Sequence, residues 1–348
     1  MTKKLRVGLI GAGGIAQSHM RGWEENENAE VVAICDIKRK AREDTAKRWD
    51  VAKNALFDDY ETMLEKVGLD AVDICTPNAY HKAPAIAGFE AGCHVLVEKP
   101  VAISADECRA MIKAGKEADR MLMVAQVLRF AAEGQTLRTW VDAGLVGDIY
   151  WGQCSCLRPR GVPSWGVFID AEASGGGPCY DLGVHVLDLA LYLMDFPEPV
   201  SVSAATYLEL ADKPSLMKHD PAKYTVPEDM AAGFIRFANG ATLSVQTSWA
   251  LNVTEAATGH NVILCGDKAG LQYSPPTLIR EENGMLINSV PQVPADVPGD
   301  GFVAEIAAFV EAVLKGKPSP VPGEQALITQ RILDGIYASG EAGEEVKV

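Results

Sequence analysis

One stretch near the start of the chain decides the fold: Val7-Gly8-Leu9-Ile10-Gly11-Ala12-Gly13-Gly14-Ile15-Ala16. It joins a short apolar run to a helical pattern and contains GxGxxA. In this motif Gly11 permits a tight turn, Gly13 lets the backbone approach a pyrophosphate, and Ala16 lets the helix pack near the strand. The free N–H groups at the helix start then face the phosphates. The stretch predicts a dinucleotide-binding turn.

An acidic residue strengthens this prediction. Asp36 stands at the end of the second predicted strand, twenty residues after Ala16, and Ile37 follows it in the same predicted cofactor site. A carboxylate there accepts hydrogen bonds from the adenosine ribose and repels a 2′-phosphate, which favours NAD over NADP. The basic run at 38–40 could offset that repulsion, so NADP stays possible. A solvated helix start explains the same run equally well.

Around the turn, short apolar runs alternate with amphipathic stretches as far as residue 127, which is typical of a doubly wound parallel sheet. The predicted strands are Arg6–Ile10, Val31–Cys35, Ala71–Thr76, His94–Val97 and Leu122–Ala125. Beyond residue 128 long β-rich stretches dominate, with a tight-turn dipeptide at Asn239-Gly240 and closing helices at Gly301–Lys315 and Gln325–Ser339. The expected fold is α/β: a Rossmann domain at 1–127, then an α+β domain with an open, mostly antiparallel sheet at 128–348.

Composition narrows the function classes. The 348 residues are 48% hydrophobic and 23% charged, with a net charge of −15. This excess of carboxylates disfavours nucleic acid and anionic membrane surfaces as partners, and no apolar run is long enough to span a bilayer. The eight cysteines show no disulfide framework, which indicates a reducing, cytoplasmic location. Only Cys154 and Cys156 are close together, and without further ligands they predict no metal site.

Two further segments follow predicted strands. Thr76-Pro77-Asn78 with His81 comes after the third strand, and Glu98-Lys99-Pro100 after the fourth. Doubly wound sheets bind ligands at the carboxyl ends of their strands, so we expect both segments in the cofactor site. Since Lys99 is fixed between a buried strand and a proline, its ammonium could hold a substrate hydroxyl and stabilise a developing alkoxide.

A third segment, Ser174-Gly175-Gly176-Gly177-Pro178, leads into a helical pattern. On an α-helix, Asp181 and His185 are one turn apart and share a face. A histidine with a neighbouring carboxylate is a reasonable proton acceptor, because imidazole titrates near neutral pH. An ion pair on the helix surface is the alternative.

Taken together and in order, these motifs resemble the Gfo/Idh/MocA family, the oxidoreductases related to glucose–fructose oxidoreductase and inositol dehydrogenase. The matching motifs span nearly the whole chain: Gly11 to Ala16, Thr76-Pro77-Asn78 with His81, Ala91 to Pro100, Gly176-Gly177 leading to Asp181 and His185 with Asp188, and Ile336-Tyr337-Ala338-Ser339 with Gly343. The resemblance implies oxidation of a secondary alcohol on a sugar or polyol, or the reverse reduction. It implies that Lys99 lies near the nicotinamide and the reacting hydroxyl, that His185 is the acid–base group, and that Asp181 helps to position the substrate.

Substrate contacts are less readable. The segment 158–166 looks like a loop insertion whose two arginines could bind an acid or phosphate group and whose tryptophan could stack on a sugar. A packing or oligomer-contact loop is equally compatible with it. Two residues past the fifth strand and a tyrosine beside the helical pattern are candidates for substrate contacts on the basis of their position alone. The predicted substrate residues are therefore Gln126, Arg129, Arg158, Trp165 and Tyr180.

Two other functions stay open at this point. One is an NAD-using glycosidase that oxidises, eliminates and reduces without net redox change. The other is a non-catalytic dinucleotide sensor, although such a protein would be expected to lose Lys99 or His185. The expected partners are a small sugar or polyol and further copies of the chain, as a homodimer or homotetramer through the second sheet.

Overall fold

The structure is a computed structural model that describes residues 4–292 and 300–348. The strands are β1 (Leu5–Ile10), β2 (Ala29–Cys35), β3 (Leu56–Phe57), β4 (Ala71–Ile74), β5 (His94–Glu98), β6 (Leu122–Ala125), β7 (Ile149–Leu157), β8 (Pro199–Tyr207), β9 (Met230–Phe237), β10 (Thr242–Ser248), β11 (Gly259–Gly266), β12 (Gly270–Gln272), β13 (Thr277–Glu282), β14 (Met285–Ser289) and β15 (Val346–Lys347). The helices are α1 (Ala16–Glu25), α2 (Arg39–Arg48), α3 (Tyr60–Lys66), α4 (Lys82–Glu90), α5 (Ala105–Glu117), α6 (Ala132–Asp142), α7 (Ala171–Ser174), α8 (Val184–Leu193), α9 (Gly301–Lys315) and α10 (Gly323–Ala342). Within the described ranges no helix has both the length and the apolarity needed to cross a membrane.

The described chain forms two compact units, residues 4–130 with 300–327 and residues 131–292 with 328–348. The first unit is built on a parallel sheet of six strands in the order β3-β2-β1-β4-β5-β6. This order is that of a dinucleotide-binding doubly wound sheet, and it confirms the predicted Rossmann fold. All five predicted strands form, with bounds shifted by at most two residues. The edge strand β3 was not predicted, because two residues carry no readable periodicity.

The first unit also contains α9, which the predicted boundary after residue 127 assigns to the second domain. Helix α9 packs on α1, where the rings of Trp23 and Phe309 meet edge to face at 6.1 Å. A Cβ on Gly22 would lie 2.7 Å from Ile306, so the two helices approach very closely. The apolar face of α9 is readable from the sequence, but its partner lies almost three hundred residues away. By its contacts, this segment groups with the first unit, although it follows the predicted boundary in the sequence.

The second unit is built on a sheet of nine strands in the order β14-β13-β12-β11-β7-β10-β9-β8-β15. Strands β7 and β10 pair in parallel, and the other pairings of this order are antiparallel, which confirms the mostly antiparallel sheet. Asn239-Gly240 forms the predicted turn between β9 and β10, with Gly240 at φ 88°. Helix α8 is buried along nearly its whole length and packs on β7 and β11. It begins at Val184, directly after the segment Cys179–Gly183 that carries Asp181.

Candidate cofactor and active-site residues

The glycine turn has the conformation that its sequence predicts. Gly11 has φ 92°, and a Cβ there would lie 2.6 Å from the carbonyl oxygen of Cys75, so β1 can leave the sheet here only through glycine. Gly13 and Gly14 are exposed, and a Cβ on either would meet no heavy atom within 4 Å. Helix α1 then starts at Ala16. The backbone is therefore open to a ligand at the point where the first amides of the helix have no acceptor within it.

Asp36 is fixed beside this turn. Its Oδ2 accepts a hydrogen bond from the backbone N–H of Ala12 at 2.7 Å, and its Oδ1 accepts one from the N–H of Lys38 at 2.7 Å. The next side chain, Ile37, is 84% exposed. A carboxylate held in one orientation beside an open helix start, with an exposed apolar side chain next to it, suits an adenosine ribose and its base.

Two of the three basic residues after Asp36 form ion pairs along α2. Arg39 donates to Glu43 at 2.7 Å, and Lys40 pairs with Asp44 at 2.5 Å. Arg39 and Lys40 are therefore each paired with an acid one turn further along α2, rather than standing ready for a 2′-phosphate. The turn and Asp36 together fit NAD.

The segment after β4 differs from its prediction in one residue. The His81 imidazole is fully buried, with Nδ1 2.9 Å from the carbonyl oxygen of Pro100 and Nε2 2.8 Å from that of Thr76. Both nitrogens are thus occupied by backbone. His81 was predicted in the cofactor site, but it joins the loop after β4 to the loop after β5. Thr76 and Asn78 are half-buried and Pro77 is exposed, so these three stay candidates for the cofactor.

Glu98 is also turned inward. One oxygen, Oε2, accepts the backbone N–H of Lys99 at 2.9 Å, and the other, Oε1, lies 2.9 Å from Nε2 of His19. Both bonds hold the Glu98 carboxylate inside the unit, and its predicted cofactor contact stays a prediction. Lys99 is half-buried directly after β5, as the sequence predicts.

A buried polar network behind Lys99 was missed. His19 Nδ1 lies 3.0 Å from both carboxylate oxygens of Asp73, and Trp23 donates its indole N–H to Asp73 at 2.7 Å. Burial lowers the pKa of His19, but the charge and hydrogen bonds of Asp73 outweigh burial and raise it well above its ordinary value. The spacing of a histidine and a tryptophan on α1 was the only available signal, and core packing explains that spacing just as well.

In the second unit, the glycine-rich loop is packed against a buried acid. Glu228 is fully buried and accepts hydrogen bonds from the N–H groups of Gly177 at 3.0 Å and Cys179 at 3.2 Å and from the hydroxyl of Tyr337 at 2.6 Å. A Cβ on Gly177 would lie 2.5 Å from the carbonyl oxygen of Glu228. Burial raises the pKa of Glu228 to about 7. Glycine is thus required here by close packing.

The loop continues into a π-helical turn at Cys179–Gly183, from which α8 starts. Asp181 lies in this turn, so the α-helical spacing assumed for Asp181 and His185 does not hold across it. Oδ2 of Asp181 accepts a hydrogen bond from the indole N–H of buried Trp249 at 2.9 Å. The His185 ring stands edge to face with His260 at 5.9 Å between centroids. The second unit therefore brings Trp249 to Asp181 and His260 to His185, and neither neighbour was predicted.

Three of the predicted substrate residues are buried. Gln126 and Arg129 are each 2% exposed, and Arg129 donates to Gln325 at 2.6 Å. The hydroxyl of Tyr180 donates to Asp334 at 3.1 Å and accepts from Gln330 at 2.9 Å. That hydroxyl is bonded to two side chains of α10, and its predicted role as a polar substrate contact stays a prediction.

The segment 158–166 follows β7. Arg160 binds the loop after β10, with bonds to the carbonyl oxygen of Leu251 at 3.2 Å and to Asn252 at 2.7 Å. Arg158 donates to the carbonyl oxygen of Gly161 at 3.3 Å. Trp165 is 66% exposed and touches Phe168 edge to face. The arginines bond to backbone and side-chain groups near the loop, whereas most of the indole is exposed.

Both parts of the chain are similar to known oxidoreductases. A family model described as oxidoreductase family, NAD-binding Rossmann fold, matches residues 5–126, and one described as oxidoreductase family, C-terminal alpha/beta domain, matches residues 138–348. The D-glucoside 3-dehydrogenase of Escherichia coli (strain K12) is 36% identical over 349 residues, which cover 99% of this chain and 97% of that protein. The inositol 2-dehydrogenase of Rhizobium meliloti (strain 1021) is 32% identical over 210 residues, 60% of each chain. A solved levoglucosan dehydrogenase, in complex with NADH and L-sorbose, shares the fold with a TM-score of 0.88 at 22% identity, covering 100% of this chain and 99% of that one.

Proposed function

The chain belongs to the Gfo/Idh/MocA family of NAD-binding oxidoreductases, and from that membership we propose that it oxidises a ring hydroxyl of a D-glucoside with NAD. Its relatives include sugar and polyol dehydrogenases that act on CH–OH groups. The observation that carries the narrower proposal is the 36% identity to a D-glucoside 3-dehydrogenase over almost the full length of both chains. The hydroxyl at position 3 is accordingly the proposed site of oxidation.

The cofactor part of the proposal rests on the first unit. The open backbone at Gly13 and Gly14 would receive the diphosphate at the start of α1, and Asp36 would accept the ribose hydroxyls. When bound, the nicotinamide supplies the hydride acceptor that oxidation of an alcohol requires.

The acid–base part rests on residue chemistry and on the family resemblance. His185 would take the proton of the reacting hydroxyl, and the Lys99 ammonium would stabilise the negative charge that develops on its oxygen. Asp181, held by the indole of Trp249, would orient the sugar. A base that is held by packed neighbours keeps its direction through the reaction, which is what positioning contributes to rate.

Assembly and location stay predictions. Trp151, Phe234 and Ile263 lie on strands β7, β9 and β11 of the second sheet and are half-buried, which supports the proposed homodimer or homotetramer through that sheet. The eight cysteines are free thiols, as expected of the proposed cytoplasmic location.

The proposal is tested by following NADH absorbance with NAD and a panel of alkyl D-glucosides, free aldoses, inositol and sugar acids. We expect D-glucosides to be oxidised fastest and the product to be a 3-keto glycoside by NMR. Lys99→Met and His185→Ala should each abolish turnover while NADH still binds. Silence across the panel would reject the proposal. Release of the aglycone without net NADH would identify the glycosidase instead, and cofactor binding without any turnover would identify the sensor.

A further inference from the structure

His19 lies on α1, three residues past Ala16, and no step of the proposed reaction uses it. Its ring is fully buried. Nδ1 faces the carboxylate of Asp73 on β4 at 3.0 Å, and Nε2 faces that of Glu98 on β5 at 2.9 Å. One side chain therefore connects a helix to two neighbouring strands.

The protonation state of His19 follows from this geometry. A neutral imidazole has a single N–H and cannot donate to both carboxylates, whereas an imidazolium can. Burial lowers the pKa of His19, but the charge of Asp73 and its hydrogen bond raise it well above the ordinary value. His19 is thus a cation with both N–H donors aimed at fixed acceptors.

The contacts continue from His19 to Lys99. Glu98 divides its carboxylate, with Oε1 on His19 and Oε2 on the backbone N–H of Lys99 at 2.9 Å. On the other side, Trp23 anchors Asp73 through its indole N–H at 2.7 Å. The orientation of the Glu98 carboxylate, and with it the hydrogen bond to Lys99, depends on where His19 holds it.

We propose that His19 is a positioning residue: by holding the Glu98 carboxylate, it fixes the backbone from which Lys99 projects. The inference rests on the proposed function of Lys99. A lysine has a flexible stem of four carbons, and an anchored backbone limits the positions that its ammonium reaches. Small displacements of a catalytic group are costly to rate, so a fixed origin for this stem matters.

Two substitutions at His19 separate its bond to Asp73 from its bond to Glu98. The amide nitrogen of His19→Asn stands near the position of Nδ1, and that of His19→Gln near the position of Nε2. Asn can therefore still bond Asp73 but not Glu98, whereas Gln can still bond Glu98 but not Asp73. Both variants remove the positive charge of His19. Trp23→Phe serves as a control, because it removes only the indole bond that anchors Asp73.

Three quantities are measured in the full-length protein: kcat with the best glucoside, hydrogen exchange at the Lys99 amide by NMR, and the melting temperature. We expect His19→Asn to lower kcat by about tenfold to a hundredfold, to speed exchange at Lys99 by about tenfold, and to leave KM for the glucoside nearly unchanged. His19→Gln should keep most of the wild-type kcat and most of the slow exchange at Lys99, although the two variants lose similar thermal stability.

The outcomes distinguish the positioning role of His19 from the proposed function of the protein. Equal kcat and equal exchange in the Asn and Gln variants would overturn the inference, because the network would then be structural only. A wild type that oxidises no sugar would sink the proposed function, yet faster exchange at Lys99 in His19→Asn alone would still support the positioning role. If Lys99→Met abolishes turnover while His19→Asn leaves kcat and exchange intact, the function stands and the positioning role of His19 is wrong.

Discussion

The carboxylate of Glu228 accepts the backbone N–H of Gly177 at 3.0 Å, although the two residues are 51 positions apart in the chain. Glu228 is fully buried, and it receives two further donors, the N–H of Cys179 and the hydroxyl of Tyr337. This one side chain therefore sets the path of the backbone just before the π-helical turn that carries Asp181.

We expect Glu228 to make stability depend on pH. Burial raises its pKa to about 7, above that of an unfolded glutamate, so the fold disfavours ionisation. Its contribution is complete below about pH 4 and is lost as pH rises through about 7, a difference of about 2–4 kcal/mol. Glu228→Gln should remove that slope, as measured by urea unfolding between pH 5 and pH 8. Parallel pH profiles for the two proteins would contradict the prediction.

Two glycines should respond to alanine in opposite ways. Gly177→Ala places a Cβ 2.5 Å from the carbonyl oxygen of Glu228, and we expect a loss of about 2 kcal/mol or more in unfolding free energy. Gly13→Ala meets no protein atom within 4 Å, so the melting temperature should hold while NADH binds about tenfold more weakly. Calorimetry measures the stability of both variants, and fluorescence titration measures the affinity of Gly13→Ala for NADH. Unchanged NADH affinity in Gly13→Ala would contradict the proposed diphosphate site.

Asp36 should control the choice of dinucleotide. Asp36→Asn keeps an oxygen that can accept the N–H of Ala12 but removes the charge that repels a 2′-phosphate. We expect KM for NAD to rise about tenfold and the preference for NAD over NADP to fall. Arg39→Gln is the control, since Arg39 is paired with Glu43, and it should leave the preference unchanged. Steady-state kinetics with both dinucleotides measure the effect.

Trp165 should contribute to substrate affinity without contributing to stability. Its indole is 66% exposed and meets the Phe168 ring in a T-shaped arrangement, so most of its surface is available for a sugar ring. We expect Trp165→Ala to raise KM for the glucoside by about threefold to tenfold at constant melting temperature, and Trp165→Phe to retain most of the affinity. Leu216→Ala, at a similarly exposed apolar residue, is the matched control. If KM stays constant, the loop has a packing role instead.

The sequence by itself determined the cofactor unit and the kind of fold. Gly11 and Asp36 could be read because their roles depend on local backbone geometry and on a fixed distance along the chain. The same holds for the strands, whose apolar runs and turns are local patterns. Membership of the family was likewise visible from short motifs in order.

Only the tertiary structure decided which polar residues face inward. His81 and Glu98 lie in motifs that suggest a ligand, yet His81 joins the loops after β4 and β5, and Glu98 bonds His19 on α1. Glu228 has no motif at all, and the partner of α9 could not be read from its own apolar face. The physical reason is common to all of them: a buried polar or apolar side chain is satisfied by whichever residue the fold brings to it, and that residue is far away in the sequence.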